Sequence, residues 1–313
     1  ADKYKAIIVK EQHRTLLVGS SSLKQIHPED EKFIENQWFF ENDMQLSSRK
    51  FMSDTRHVRI GDFTSGKDET IVIIGPCSVE SEDQIEQTAA LIQESGLKSL
   101  RAGAFKPRTS PYSFQGMGLN GLKLLAKMRD KYGFSIVTEV RDSTHAEAVI
   151  DYADVIQVGA KAMYDHGILR ACGKSEKPIL LKRGFGTTLQ EFVQAAEFIL
   201  SGGNPNVMLC ERGIRTFETK SRFTLDLCGV AYLKEHTNLP VILDPSHAMG
   251  YSYGVPDLAR ACMAMNIDGL LIEVHPDPSS AQSDASQQLN HKEFKKLLST
   301  LRPIANAVGR HIV

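Results

Sequence analysis

Short apolar runs alternate with amphipathic stretches from residue 69 to the end of the chain. The apolar runs are rich in β-branched residues and predict eight strands, at residues 71–74, 99–104, 135–140, 155–159, 178–181, 207–210, 241–243 and 269–274. The stretches between them carry helical periodicity, for example at residues 81–95, 122–131, 189–200, 223–235 and 256–265, and residues 292–308 predict a closing helix.

This alternation is typical of βαβ units on a parallel sheet. Eight strand–helix pairs in about 245 residues have the size of a (β/α)8 TIM barrel, an α/β fold. A doubly wound sheet is the alternative, but the Gly-x-Gly-x-x-Gly that usually follows its first strand is absent here.

Residues 1–60 have a different pattern. Apolar runs at 6–9 and 15–18 predict a pair of strands, an acidic helix is expected to begin at 27–31, and residues 37–40 predict a further strand. We therefore expect a small α+β appendage with its linker at residues 1–60, and a catalytic barrel at 61–313. The appendage could serve packing, oligomer formation or regulation.

Composition narrows the class of protein. The chain has 313 residues, a formal net charge of −1 and a pI near 6.9, which argues against nucleic-acid binding. No apolar run approaches the ~20 residues of a membrane span, and no signal-peptide pattern opens the chain. The five cysteines are scattered and odd in number, which favours reduced thiols and a cytoplasmic location.

Polar residues follow the C-terminal end of every predicted strand, where barrel enzymes place their chemistry. One set is cationic: Arg101, Lys106, Arg108, Lys161, Lys182, Arg183, Arg212 and Arg215. Cations collected in one cleft repel one another unless anions neutralise them. The predicted ligands therefore carry several phosphate and carboxylate groups.

A second set consists of Cys77, His247, Glu273 and Asp284. A thiolate, an imidazole and two carboxylates suit a borderline divalent ion such as Mn, Fe, Co or Zn better than Mg or Ca. Such a mixed set leaves coordination positions open, as a catalytic site requires.

Six motifs occur in one order: Gly75-Pro-Cys-Ser-Val-Glu80, Lys106-Pro-Arg-Thr-Ser110, Leu180-Leu-Lys-Arg-Gly184, Cys210-Glu-Arg-Gly213, Asp244-Pro-Ser-His247 and Glu273-Val-His-Pro276. Together they resemble the 3-deoxy-D-arabino-heptulosonate 7-phosphate (DAHP) synthases, in the shorter microbial subgroup. The resemblance covers residues 45–309 or so. It implies condensation of phosphoenolpyruvate with erythrose 4-phosphate and water, the first step of the shikimate pathway.

The resemblance also assigns roles. It implies that Cys77, His247, Glu273 and Asp284 bind a divalent metal, so that Cys77 and His247 count among the catalytic residues. It places Arg101, Lys106, Lys182 and Arg212 on phosphoenolpyruvate, and Arg108 with Thr109 on the aldose phosphate; Lys161 and Asp244 are further substrate-binding candidates. Lys106 is our candidate proton donor, and Glu139 our candidate for organising the attacking water.

One departure concerns the loop after the fourth strand, where the family usually has Gly-Ala-Arg-Asn. This chain reads Gly159-Ala-Lys161-Ala162, which keeps the charge but loses the bidentate fork of arginine. We expect weaker phosphate binding there or a shifted substrate preference. The resemblance further suggests a homo-oligomer, a dimer or tetramer, and a partial ferredoxin-like appendage that binds an aromatic amino acid effector.

Three other functions compete with this interpretation. The sister enzyme 3-deoxy-D-manno-octulosonate 8-phosphate synthase uses a five-carbon aldose phosphate, but usually has Lys-Ala-Asn in place of Lys106-Pro107-Arg108. A non-catalytic sensor of phosphoenolpyruvate or of an aromatic amino acid would not need metal ligands together with a proton donor. A generic metal hydrolase does not explain so many cations.

Overall fold

The structure is a computed structural model that describes residues 1–11, 14–106, 110 and 112–313. The chain begins with an antiparallel hairpin of β1 (Ile7–Glu11) and β2 (Arg14–Val18), followed by the four-residue helix α1 (Pro28–Glu31). A second hairpin, β3 (Val58–Ile60) and β4 (Phe63–Ser65), precedes the main sheet.

Eight parallel strands form that sheet, and the pairing of its first strand with its last closes it into a barrel. The predicted (β/α)8 fold is therefore confirmed. The strands are β5 (Glu69–Gly75), β6 (Ser99–Arg101), β7 (Ser135–Val140), β8 (Val155–Val158), β9 (Ile179–Lys182), β10 (Val207–Glu211), β11 (Val241–Leu243) and β12 (Gly269–Glu273).

The helices cover the outside of the barrel, and a large apolar cluster fills the layer between helices and strands. In chain order they are α2 (Glu82–Glu94), α3 (Gly118–Tyr132), α4 (Ala146–Tyr152), α5 (His166–Lys174), α6 (Leu189–Ser201), α7 (Leu227–His236), α8 (Pro245–Met249), α9 (Val255–Ala264) and α10 (His291–Ala307). The five-residue α8 is the exception, because it lies at the rim, where its His247 contacts Glu273. No described helix is both long and apolar enough to cross a membrane.

The predicted strand at residues 37–40 is wrong. These residues carry no strand assignment, although all four are described. Trp38 instead packs its ring edge-on against Phe51, with 5.3 Å between the ring centroids. Trp38 is therefore held by side-chain packing rather than by a backbone ladder.

The barrel interior is filled by a separate apolar cluster. The hairpin β3–β4 closes the lower end of the barrel, where the strands begin. Val58 and Ile60 of this hairpin are fully buried in that cluster, beside Ile71 and Ile73 of β5. A short final strand, β13 (His311–Ile312), pairs with the start of β5. The lower end is therefore filled by apolar side chains, which leaves chemistry to the opposite rim.

The segment that joins the appendage to the barrel is held by buried polar groups. The carboxylate of Glu197 on α6 accepts hydrogen bonds from the backbone N–H groups of Gln45, Leu46 and Ser47. The side-chain amide of Asn238 donates to the carbonyl of Leu46 at 2.9 Å. Residues 45–47 therefore belong structurally to the barrel surface.

Candidate active site

Polar side chains of the candidate site lie at the upper rim, which is the C-terminal end of the barrel strands. Their position follows from the two-residue period of a strand, because alternate residues face the same side. On several strands, an apolar side chain of the interior cluster is followed two residues later by a polar residue of the candidate site. The pairs are Val137 with Glu139, Val155 with Gln157, Leu180 with Lys182, Cys210 with Arg212, Ile242 with Asp244 and Leu271 with Glu273.

Three predicted metal ligands come together at this rim. One donor atom each from Cys77, Glu273 and Asp284 lies within 4.8 Å of the other two. Asp284 has a φ of +47°, in the left-handed region that aspartate tolerates better than most residues. A thiol and two carboxylates at this separation fit a borderline divalent ion.

The fourth predicted ligand, His247, reaches the same group through Glu273. Its Nε2 atom lies 3.4 Å from Oε1 of Glu273, and its Nδ1 atom lies 2.8 Å from Oδ2 of Asp244. A carboxylate on one ring nitrogen fixes the tautomer and leaves the other nitrogen free to bind a metal. Burial lowers the pKa of His247 below 6.5, which favours the neutral ring that such binding needs.

Asp244 is fully buried and organises two neighbours. Its Oδ2 atom lies 2.6 Å from Nζ of Lys182, and its Oδ1 atom accepts a hydrogen bond from the backbone N–H of His247. Burial alone would raise the pKa of Asp244, but hydrogen bonds from His247 and the charge of Lys182 hold it well below its usual range. Asp244 is thus placed to orient His247 and Lys182.

Arg101 lies between two carboxylates. It donates to Glu273 Oε1 at 2.5 Å, lies 3.7 Å from Glu139 Oε2, and contacts Gln157 Oε1 at 3.2 Å. Gln157 in turn donates to Glu139 at 2.8 Å. Burial opposes the charge of Arg101, but the neighbouring Glu273, Cys77 and Glu139 raise its pKa. The arginine is fixed before any substrate binds.

Lys106 extends into the metal group. Its Nζ atom donates to the backbone carbonyl of Cys77 and lies 3.1 Å from the Cys77 sulfur. Lys106 forms no ion pair with a carboxylate of the described residues, although it is only 4% exposed. A buried ammonium that is not directly paired with a carboxylate favours the arrival of an anion.

Arg212 is the second buried cation that pairs with no carboxylate of the described residues. Its guanidinium stacks 4.3 Å above the ring of Phe223 and makes only long contacts to the carbonyls of Gly213 and His247. Burial lowers its pKa. Arg212 and Lys106 therefore offer anion-binding capacity that the protein itself leaves unused.

Other members of the cationic set are placed differently. Arg183 faces away from the interior and binds Glu211 and Asp226 at 2.8 and 2.9 Å, which makes it part of a structural ion-pair network. Lys161 is exposed in the loop after β8, with no ion pair to a described residue. Arg108 and Thr109 lie outside the described residues.

Two residues of the candidate site, Gln157 and Gln287, were not predicted from the sequence. Gln157 is a buried glutamine within the strand Val155–Val158. It follows Val155 of the barrel interior by two residues, and this spacing was the signal that could have placed it in the candidate site. Gln287 donates to Glu273 Oε2 at 2.6 Å from the loop after β12. Nothing in the Ser-rich sequence of that loop distinguishes Gln287 from its neighbours.

The protein is a (β/α)8 barrel whose rim carries buried cations beside a group of side chains that could hold a metal ion. Residues 43–308 match the model of the DAHP synthetase I family. The chain belongs to this family.

Individual relatives agree with this assignment. The chain is 43% identical over 265 residues to a phospho-2-dehydro-3-deoxyheptonate aldolase from Thermotoga maritima, which covers 85% of this chain and 78% of the relative. The crystal structure of the Thermotoga maritima DAHP synthase superposes with a TM-score of 0.86 at 38% identity, covering 100% of this chain and 93% of that one. A 2-dehydro-3-deoxyphosphooctonate aldolase from Arabidopsis thaliana is more distant, at 33% identity over 75% of this chain and 88% of the relative.

Proposed function

We propose that this protein is a 3-deoxy-7-phosphoheptulonate synthase, a transferase that condenses phosphoenolpyruvate with erythrose 4-phosphate and water. The products are DAHP and inorganic phosphate, in the first step of aromatic amino acid biosynthesis. The observation that carries the proposal is the geometry of one rim. There, the trio of Cys77, Glu273 and Asp284 lies beside two buried cations, Lys106 and Arg212, that lack carboxylate partners in the described chain.

The donor set fits a divalent metal, with Mn, Fe, Co and Zn all compatible. Cys77, Glu273, Asp284 and His247 would hold the ion. When bound, it would supply Lewis-acid polarisation of the aldehyde of erythrose 4-phosphate.

The chain's own residues would bind and orient the substrates. Three buried cations would provide fixed positive charge for the phosphate and carboxylate of phosphoenolpyruvate. They are Arg101, Lys182 and Arg212. Asp244 would hold Lys182 in place for this role. Arg108 with Thr109, and more weakly Lys161, would bind the aldose phosphate.

In the reaction, C3 of phosphoenolpyruvate forms a bond to the aldehyde carbon, water adds to C2, and phosphate leaves from C2. Lys106 is our candidate to protonate the aldehyde oxygen as it becomes the new hydroxyl, and Glu139 to hold the water that attacks C2. Glu139 is held by Gln157 and faces the same interior as Arg101.

The test is phosphate release from phosphoenolpyruvate with a panel of aldose phosphates. We expect kcat/KM for erythrose 4-phosphate to exceed that for arabinose 5-phosphate by at least about 100-fold. The reverse preference would assign the chain to the octulosonate reaction of its more distant relatives. Binding without phosphate release from any aldose would mark it as a sensor.

We also propose an aromatic amino acid effector, tyrosine or phenylalanine, bound in the appendage. A groove of about 390 Å³ lies between the β1–β2 hairpin and the 33–40 segment, and Leu16, Phe33, Trp38 and Phe51 line it. Trp38 is the only tryptophan of the chain, so its fluorescence reports on this groove. A concentration-dependent change with phenylalanine but not with leucine is expected, together with inhibition. An unchanged spectrum at millimolar phenylalanine would remove the proposal.

Self-association is a further proposal, as a dimer or tetramer. Ile8 and Leu17 are cross-strand neighbours on the hairpin, and both are about half exposed. Covering such a pair favours association. Light scattering on the wild type and on Ile8→Lys tests this: a smaller particle is expected for the variant, and a monomeric wild type would contradict self-association.

A cytoplasmic location is also proposed, since all five cysteines are free thiols.

A further inference from the structure

Two consecutive glutamines lie behind the metal-ligand trio. Gln287 and Gln288 are each 1% exposed, in the loop that leads from β12 to α10. Backbone hydrogen bonds of Leu289 with Glu273 and His275 close this loop. Fully buried side-chain amides in a loop need specific partners, because an unpaired buried amide is costly.

Gln287 contacts two of the trio. Its Nε2 atom donates to Glu273 Oε2 at 2.6 Å and lies 3.5 Å from Asp284 Oδ2. Its Oε1 atom accepts from Arg222 Nη1 at 2.8 Å. Because a guanidinium can only donate and a carboxylate can only accept, these partners permit one orientation of the amide.

The opposite side of Glu273 is held as well. Arg101 donates to Oε1, so each carboxylate oxygen of Glu273 has its own donor, one cationic and one neutral. Two donors on two oxygens fix the plane of the carboxylate. A neutral donor does so without cancelling the negative charge that attracts a metal.

Gln288 ties the same loop to the third member of the trio. Its Oε1 atom accepts from the backbone N–H of Cys77 at 3.0 Å, and its Nε2 atom donates to the carbonyl of Ser283. Ser283 also shares a hydrogen bond of 2.5 Å with Ser78. The loop that carries Asp284 is therefore anchored directly beside Cys77.

We propose that Gln287 is a positioning residue that orients the Glu273 carboxylate, and with it Asp284, for metal binding. The inference rests on the metal site proposed above. Hydrogen bonds to ligating carboxylates commonly change metal affinity by ~10- to 100-fold when they are removed. Gln287 is suited to this role because Arg222 donates to its amide oxygen while Glu273 accepts a hydrogen bond from its amide N–H.

The experiment compares Gln287→Met with Gln282→Met in the purified full chain. Methionine keeps the length of glutamine but cannot donate to Glu273. Gln282 is a matched control because it lies in the same loop with an exposed side chain. The readouts are the dissociation constant for Co²⁺ and the cobalt–thiolate charge-transfer absorption, neither of which requires turnover.

We expect Gln287→Met to weaken Co²⁺ binding about 10- to 100-fold and to change the cobalt spectrum, while Gln282→Met matches the wild type. Gln287→Asn, which keeps the amide but shortens its reach, should also weaken binding. Equal affinity in wild type and both Gln287 variants would overturn this inference and leave the metal site intact. Absence of a cobalt–thiolate signal in the wild type would overturn the site and the inference together.

Denaturant unfolding without metal completes the test. The proposed role requires that the metal-free variants stay folded, because Gln287 acts on ligand geometry rather than on the fold. Loss of the folded state in both Gln287→Met and Gln287→Asn would therefore contradict it.

Discussion

The Nζ atom of Lys106 lies 3.1 Å from the Sγ atom of Cys77, so the candidate proton donor directly neighbours the candidate metal ligand. Burial raises the pKa of the Cys77 thiol to about 12, and the nearby Glu273 adds to this effect while Lys106 opposes it. The thiol is therefore neutral at pH 7 in the metal-free protein.

Metal affinity should consequently rise with pH. Because a metal binds the thiolate, each ion bound at pH 7–8 must displace the Cys77 proton, and affinity should increase about tenfold per pH unit. His247 adds no proton release here, since its pKa is lowered and its ring is neutral. Co²⁺ titrations at pH 7 and 8 check this. Identical affinity at both values would contradict it, and Cys77→Ser should abolish the thiolate absorption.

Removing the buried cation Arg101 should destabilise the fold. Arg101→Met leaves the buried Glu273 without its ion-pair partner, which we expect to cost about 3–5 kcal/mol in the free energy of unfolding. Lys295→Met is the control, because its pair with Glu94 is exposed and contributes at most about 1 kcal/mol. Urea denaturation in EDTA compares the two. A loss of less than 1 kcal/mol for Arg101→Met would refute the prediction.

Gly159 should be required for the position of Glu139. A Cβ atom at Gly159 would overlap the carboxylate of Glu139, whereas one at Gly186 would meet no atom within 4 Å. Since a side-chain end can move, Gly159→Ala should cost little stability but lower kcat by about tenfold or more.

Steady-state kinetics of Gly159→Ala and Gly186→Ala test this prediction. The second variant should behave as wild type. Full activity in Gly159→Ala would show that the observed position of Glu139 is not needed for the reaction.

The division of the chain can be tested by truncation. A chain that starts at residue 43 should fold and stay active, because it keeps Arg56, Asn238 and the hairpin that closes the barrel. A chain that starts at residue 61 loses Val58 and Ile60, each worth about 1.5–3 kcal/mol of burial. Thermal unfolding should show a lower Tm for the shorter chain. Equal Tm values would support a barrel that begins at residue 61.

Much of the fold could be predicted because strand and helix periodicities are local properties of the chain. Strands β7 and β11 have the predicted bounds, and the others differ by a few residues at their ends. The 37–40 segment could not be predicted correctly, since aromatic residues favour strands and packing sites alike. Its packing partner, Phe51, is distant in sequence.

The site was predictable only in part, for a geometric reason. Charge alone does not tell that Lys182 belongs to the site and Arg183 to a structural ion-pair network. The two-residue period of the strand does, because Lys182 lies two residues after Leu180 of the barrel interior and Arg183 faces the opposite side. The role of Gln287 depends on a loop that folds back on Glu273, a contact between residues 14 positions apart that no strand period encodes.

The stoichiometry of the reaction in the purified protein tests the proposed condensation most directly. With Mn²⁺ or Co²⁺ present, phosphoenolpyruvate and erythrose 4-phosphate should give equal amounts of phosphate and a seven-carbon 3-deoxy sugar acid phosphate, identified by mass spectrometry. EDTA should stop the reaction, and re-added metal should restore it. Absence of the seven-carbon product under all metal conditions, with the protein shown to be folded, would contradict the proposed activity.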